Sequence, residues 1–163
     1  MKRLFVSCFI FGIFLFVLSA QATEKKDFKE FTIELPDGWK MPMEAQYTQY
    51  GVIATFLSSN GSGDIKNMVV NFPSSMGKSM EDLLADAKTK ASNRGVSFKS
   101  ITRQTDTRVV YIGEQINGMP FKMIAVLDPE NKKLAILTMG GKWEEFEDVA
   151  KSIIPVNPKL KFF

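Results

Sequence analysis

The sequence predicts an α+β fold: a mostly antiparallel β-sheet with helices covering it, an α/β/α sandwich. Three observations carry that prediction. From Phe31 onward, short apolar and β-branched runs recur between clusters of Pro, Gly, Asn and Asp, which is how strands joined by tight turns read. Two other segments, opening at Ser79 and at Trp143, repeat their apolar residues at helical spacing. The order is several strands, a helix, several strands, a helix, so that each face of one sheet has a helix to protect it.

The chain opens with Lys2 and Arg3, the apolar run Leu4 to Leu18, and Ser19-Ala20-Gln21-Ala22. Charge, apolar segment and an Ala-x-Ala site stand in the order a secretory signal requires, so residues 1–22 are expected to be cleaved near Ala22, leaving a periplasmic or secreted protein. The apolar run is shorter than the roughly 20 residues that span a bilayer, and no stable membrane span is expected after cleavage. Cys8 lies inside that run without the small residues of a lipobox before it, which argues against a lipoprotein anchor. Residues 23–30 are charged and apolar-poor and read as a tether. Residues 31–163 read as one domain, because the roughly 140 residues left after cleavage suffice for one core and not for two.

Within that domain, Phe31, Ile33 and Leu35 alternate with Thr32 and Glu34 as in a strand with one buried face. Pro36-Asp37-Gly38 stops the strand in a turn, and Trp39 folds back to cover it. The runs Gly51 to Leu57 and Ile65 to Phe72 flank Ser58 to Asp64 and predict a β-hairpin. Asn60-Gly61-Ser62 matches a glycosylation sequon, but a tight Asn-Gly turn accounts for it. Ser79 is a helix N-cap with Asp82 in capping-box position; Met80, Leu83, Leu84, Ala87 and Ala91 form the buried stripe, and Gly95 the stop. Four strands follow, over Ser97 to Arg103, Arg108 to Ile116, Phe121 to Leu127 and Leu134 to Met139. In Met123 to Leu127 and Leu134 to Leu137 almost every residue is apolar, which puts the last two strands at the centre of the sheet. A second helix runs from Trp143 to Pro155 with Phe146, Val149, Ala150, Ile153 and Ile154 inward, and the tail Pro158 to Phe163 docks on the core.

Composition narrows the chemistry. There is no histidine and one cysteine, which leaves with the leader, so Ser-His-Asp triads, Cys-His dyads, disulfides and ordinary zinc sites are excluded together. Of 21 Lys and Arg, Lys2 and Arg3 belong to the leader; against 18 Asp and Glu the mature chain is close to neutral and carries no nucleic-acid footprint.

Each remaining candidate has a simpler structural explanation. Ser75-Met76-Gly77-Lys78 fits the S-x-x-K pattern of penicillin-recognising enzymes, but Gly77 intervenes before the helix and the companion S-D-N and K-T-G motifs are missing. Glu144, Glu145, Glu147 and Asp148 complement the start of a helix on a solvated face rather than forming an acid-base pair. Gly140-Gly141 suits a strand-to-helix turn as well as an anion nest. Met41 and Met43 form a Met-x-Met pair of soft thioether ligands, the one metal site the sequence offers, with Cu(I) as the fitting ion. No catalytic residue and no bound cofactor is expected.

Leu35-Pro36-x-Gly38-Trp39, the hairpin, Lys78-Ser79-Met80-Glu81-Asp82-Leu83, the strands from Gly113 to Gly118 and from Phe121 to Leu127, and Phe146-x-x-Val149-x-x-Ser152-Ile153 together resemble the PsbP-like and DcrB-like superfamily. The resemblance spans about Phe31 to Pro155. It implies an α/β/α sandwich on an antiparallel sheet, and a family of mainly non-enzymatic proteins: an oxygen-evolving accessory protein of photosystem II, a Ran-binding nuclear protein, and an envelope protein linked to phage uptake. The matching positions are turn and core positions, so no functional residue set transfers with them. The function expected is that of an exported, non-enzymatic accessory or binding domain docking onto an envelope protein complex; the alternative is a periplasmic carrier of a small ligand or of Cu(I).

Overall fold

A computed structural model describes residues 23–49, 51–59, 65–93 and 96–163. The expected leader, the Asn60-Gly61 turn and the helix stop at Gly95 lie outside the described residues.

The segment expected as a tether is a strand. β1 (Thr23–Asp27) runs antiparallel to β2 (Phe31–Pro36), with Thr23 opposite Pro36 and Asp27 opposite Thr32. An edge strand is held by backbone pairing and needs no apolar face, so a charged run gives no sign of it in the sequence. β2 buries Phe31, Ile33 and Leu35, as its alternation predicts. β11 (Ile154–Pro155) pairs along its other side and completes a small three-stranded sheet.

The main sheet is antiparallel throughout. Its order is β3 (Trp39–Lys40), β5 (Gly51–Ser59), β6 (Ile65–Pro73), β10 (Lys133–Gly140), β9 (Pro120–Asp128), β8 (Arg108–Glu114) and β7 (Ser97–Thr105), with β4 (Gln46–Thr48) also on β5. The β5–β6 hairpin and the four later strands stand where the sequence puts them, and β9 and β10 are central. β6 and β7 are consecutive strands, yet β10, β9 and β8 lie between them. The chain crosses that distance through α1 (Met80–Ser92), which therefore lies over one face of the sheet.

The two faces are covered differently. On one, Val52, Phe56, Met68, Phe72, Leu137 and Met139 pack against β2, and against Phe146, Ala150 and Ile153 around α2 (Glu147–Lys151). Leu160 and Phe162 of the tail join the same cluster, so the tail is core. Each fully buried apolar side chain there contributes roughly 1.5–3 kcal/mol by its removal from water. On the other face Met80, Leu83 and Leu84 of α1 pack over Val109, Tyr111, Ala125, Leu127 and Leu134. A helix over each face was expected; the first face is covered instead by the small sheet together with α2.

α2 is short for a definite reason. The helix expected from Trp143 to Pro155 is a 3₁₀ turn (Trp143–Glu145), then α2, then β11. The single Ser152 O–H lies between Val149 O at 2.7 Å and Glu34 O at 3.0 Å, and its oxygen accepts from Glu34 N–H at 3.1 Å, which fastens the helix end to β2. Such side-chain bonds compete with helical continuation. Ile154 then pairs with Thr32 instead of entering a buried stripe, and is exposed.

Candidate functional site: the cleft beneath α1

α1 is fixed at its start by the box its sequence encodes. Asp82 N–H donates to Ser79 Oγ at 3.2 Å and Ser79 N–H donates to Asp82 Oδ2 at 3.2 Å, while the Ser79 hydroxyl donates to the same carboxylate at 2.7 Å. These bonds hold the Asp82 carboxyl below the usual carboxylate range. The preceding loop is left-handed at Met76 (φ 55°) and Gly77 (φ 75°) and is tied to the β9–β10 turn, since Ser75 N–H donates to Lys132 O at 2.8 Å.

Held this way, α1 does not close on the sheet. A cleft of about 600 Å³ remains between them. Phe98, Tyr111, Phe121, Met123 and Ile136 supply its apolar floor, and Leu83, Ala87 and Ala91 its helical wall. Lys78, Asp86 and Lys90 stand along the exposed rim. Two hydroxyls line the same space. Tyr111 is 2% exposed, and burial pushes its phenol up to about 12. Its ring packs on Phe98 at 5.1 Å, and its hydroxyl has no hydrogen-bond partner among the described residues. Ser75 is 1% exposed; its oxygen accepts from Gly77 N–H at 3.3 Å, and its O–H donates to nothing among the described residues.

The residues singled out in the sequence separate. Ser75 and Lys78 both line the cleft but form no nucleophile-base pair: the Lys78 ammonium is bonded to the Asp86 carboxylate, which raises its pKa and keeps it protonated. Glu145 pairs with Lys66 and Glu147 with Lys122, both at 3.0 Å, and Asp148 with Lys151 at 2.9 Å, so the carboxylates brace the helix region. Gly141 donates its N–H to Pro120 O, in a turn with φ 86°. Met41 packs against the core, whereas Met43 is 55% exposed and its sulfur accepts from Gln46 Nε2 at 3.7 Å.

No family model and no curated protein matches the chain. The fold is, however, similar to that of a solved structure. The Ran-binding protein Mog1p of Saccharomyces cerevisiae superposes with a TM-score of 0.51 at 10% identity, over 82% of this chain and 85% of that one. At that identity the likeness is one of fold alone, and it supports the resemblance read from the sequence at that level.

Sequence reasoning singled out Ser75 through the S-x-x-K pattern and set that chemistry aside, and it did not single out Tyr111. Tyr111 sits mid-strand in an alternating run, where a tyrosine reads as core. Its one sequence signal is polarity: a hydroxyl on the buried face of a strand needs an acceptor, and neither cross-strand neighbour, Ile101 or Met123, offers one from its side chain.

Proposed function

We propose that this chain is an exported, non-enzymatic binding domain of the cell envelope, a member of the PsbP-like and DcrB-like group, that carries a small apolar ligand in the cleft beneath α1. The observation that carries this reading is the cleft itself. It is concave, floored by aromatic and aliphatic side chains, and falls within the roughly 300–1,000 Å³ of small-molecule sites. Of the two carrier chemistries, the cleft favours an apolar molecule over Cu(I) at Met41 and Met43, whose side chains differ in burial and in partners.

A second reading, docking onto an envelope protein complex, is favoured by Ile154, Val156 and Phe163, which are large, apolar and exposed around β11 and the tail. Native mass spectrometry of the protein gently extracted from its own envelope separates the two. Excess mass equal to one small organic molecule is the expected result. A bound polypeptide with an empty cleft supports docking instead, and a copper adduct moves the site to the thioethers.

A further inference from the structure

We propose that Met76 is an oxidation site at the mouth of the α1 cleft, and that its conversion to methionine sulfoxide loosens the cleft's hold on its ligand. The effect on the ligand rests on the carrier reading above; the selectivity of the oxidation stands without it. Three observations single the residue out. Met76 is 67% exposed, more than any other methionine among the described residues, whereas Met68, Met80 and Met139 are buried. It borders the cleft and lies in the left-handed region at φ 55°, a conformation that a residue with a Cβ adopts only at a cost. The loop enforces it: Met76 N–H donates to Ser74 Oγ at 3.2 Å, Gly77 N–H to Ser75 Oγ at 3.3 Å and Lys78 N–H to Ser75 O at 3.0 Å. A strained residue that shows an apolar side chain to water adds nothing to the core, so its use is sought at the cleft. The third observation is its sulfur. Met43 is also exposed, but its sulfur accepts from Gln46 Nε2 at 3.7 Å, while the Met76 sulfur has no hydrogen-bond partner among the described residues.

The oxidant is a peroxide. A sulfur lone pair attacks one oxygen of hydrogen peroxide; an S–O bond forms, the O–O bond breaks, and the departing hydroxide takes the proton of the transferred oxygen and leaves as water. Sulfur loses two electrons and the peroxide gains them. The product is a polar sulfoxide where an apolar thioether stood, and sulfoxide reductases reverse the change. Losing part of one methionine's apolar contact weakens an apolar ligand about tenfold.

The protein, expressed with its own N-terminal segment, is treated with rising hydrogen peroxide. Peptide mass mapping locates each added oxygen, and fluorescence titration with phenylnaphthylamine, an uncharged apolar probe, follows the cleft. The first oxygen is expected on Met76, with probe affinity falling about tenfold in step and returning after treatment with both methionine sulfoxide reductases. Met76→Leu keeps full affinity through the same peroxide, and Met76→Gln, polar from the start, shows the loss without any. Met43→Leu behaves as the unaltered protein. A thermal melt of each variant separates loss of fold from loss of binding. First oxidation at Met43 or at a buried methionine overturns the proposal, as does unchanged affinity once Met76 is oxidised, or an equal loss in Met76→Leu. Ala87→Trp, which fills the cleft, is expected to abolish probe binding. If it does so while Met76 oxidation leaves affinity unchanged, the carrier reading stands and the oxidation gate falls. If the probe fails to bind, or binds Ala87→Trp as well as the unaltered protein, both fall.

Discussion

The two faces of the main sheet are built from the same strands and finished to different standards. On the β2 side, Phe31 stacks on Phe28 at 4.5 Å and on Phe72 at 5.3 Å, and Phe72 meets Phe162 at 6.0 Å. On the α1 side a comparable run of aromatics faces a helix that stands off far enough to leave a cleft. One face is closed by rings that interdigitate, the other by a wall held at its end by a cap and a strained loop. Local stability differs across a fold, and ligand sites are drawn from its less stable parts; the proposed ligand site lies on the less closely packed of the two faces.

The strongest way to break the comparison is to remove a ring from the closed face. Phe72→Ala is expected to cost about 3–5 kcal/mol, because it opens a cavity in a packed cluster. Leu83→Ala borders space that is already open and is expected to cost under about 2 kcal/mol. Urea melts of the two variants measure both, and equal losses would mean that the faces are equally packed.

Gly113→Ala tests whether the cleft face is slack everywhere. A Cβ at that position would lie 2.2 Å from Ser97 O and 2.8 Å from the Phe121 ring. A loss of about 1–3 kcal/mol by overpacking is expected, with a shifted Phe121 and weaker ligand binding; a neutral result would show that β7 can move away. Ser79→Ala removes the capping box and should cost about 1 kcal/mol. Hydrogen exchange should then rise in α1 and stay unchanged in β6 and β10.

The smallest effect is a slope. Asp128 is buried and accepts from Asn131 Nδ2 and Asn157 Nδ2, both at 2.7 Å, which fastens the tail carrying Leu160 and Phe162 to the β9–β10 turn. Those hydrogen bonds lower its pKa. A carboxyl with a depressed folded-state pKa contributes stability that is complete above its unfolded value, near 4, and is lost as pH falls through the folded value. Stability measured from pH 5 downward should decline, and Asp128→Asn should flatten that decline on the closed face. Asp82→Asn should flatten a separate part of it through α1, since the Asp82 carboxyl is depressed as well.

Period and turn chemistry made most of the strands readable. Phe31, Ile33 and Leu35 announce β2, and the fully apolar Ile124 to Leu127 announces a central strand, because burial writes its pattern into side chains. What backbone pairing alone decides leaves no such pattern, and β1, made of Thr, Glu, Lys, Lys and Asp, is the result. The break after α2 depends on one hydroxyl: Ser152 is an unremarkable residue in a helical stripe until Glu34 of β2 lies beside it. The cleft was hidden for a related reason. Met80, Leu83, Ala87 and Ala91 read correctly as the inward stripe of α1, but the distance at which that stripe is held is set by the Ser74 to Lys78 loop and its bond to Lys132. Two buried hydroxyls 36 positions apart in the chain, Ser75 and Tyr111, meet one cavity only through that tertiary placement.

The crossing of α1 from β6 to β7 has a mechanical side. The halves of the sheet are also joined where β10 runs beside β6, from Ile136 opposite Asn71 to Gly140 opposite Asn67. α1 is thus a strap across a joint that is already sewn: it carries the chain from β6 to the far edge, while the pairing that joins the two halves runs through β10 and not through the helix.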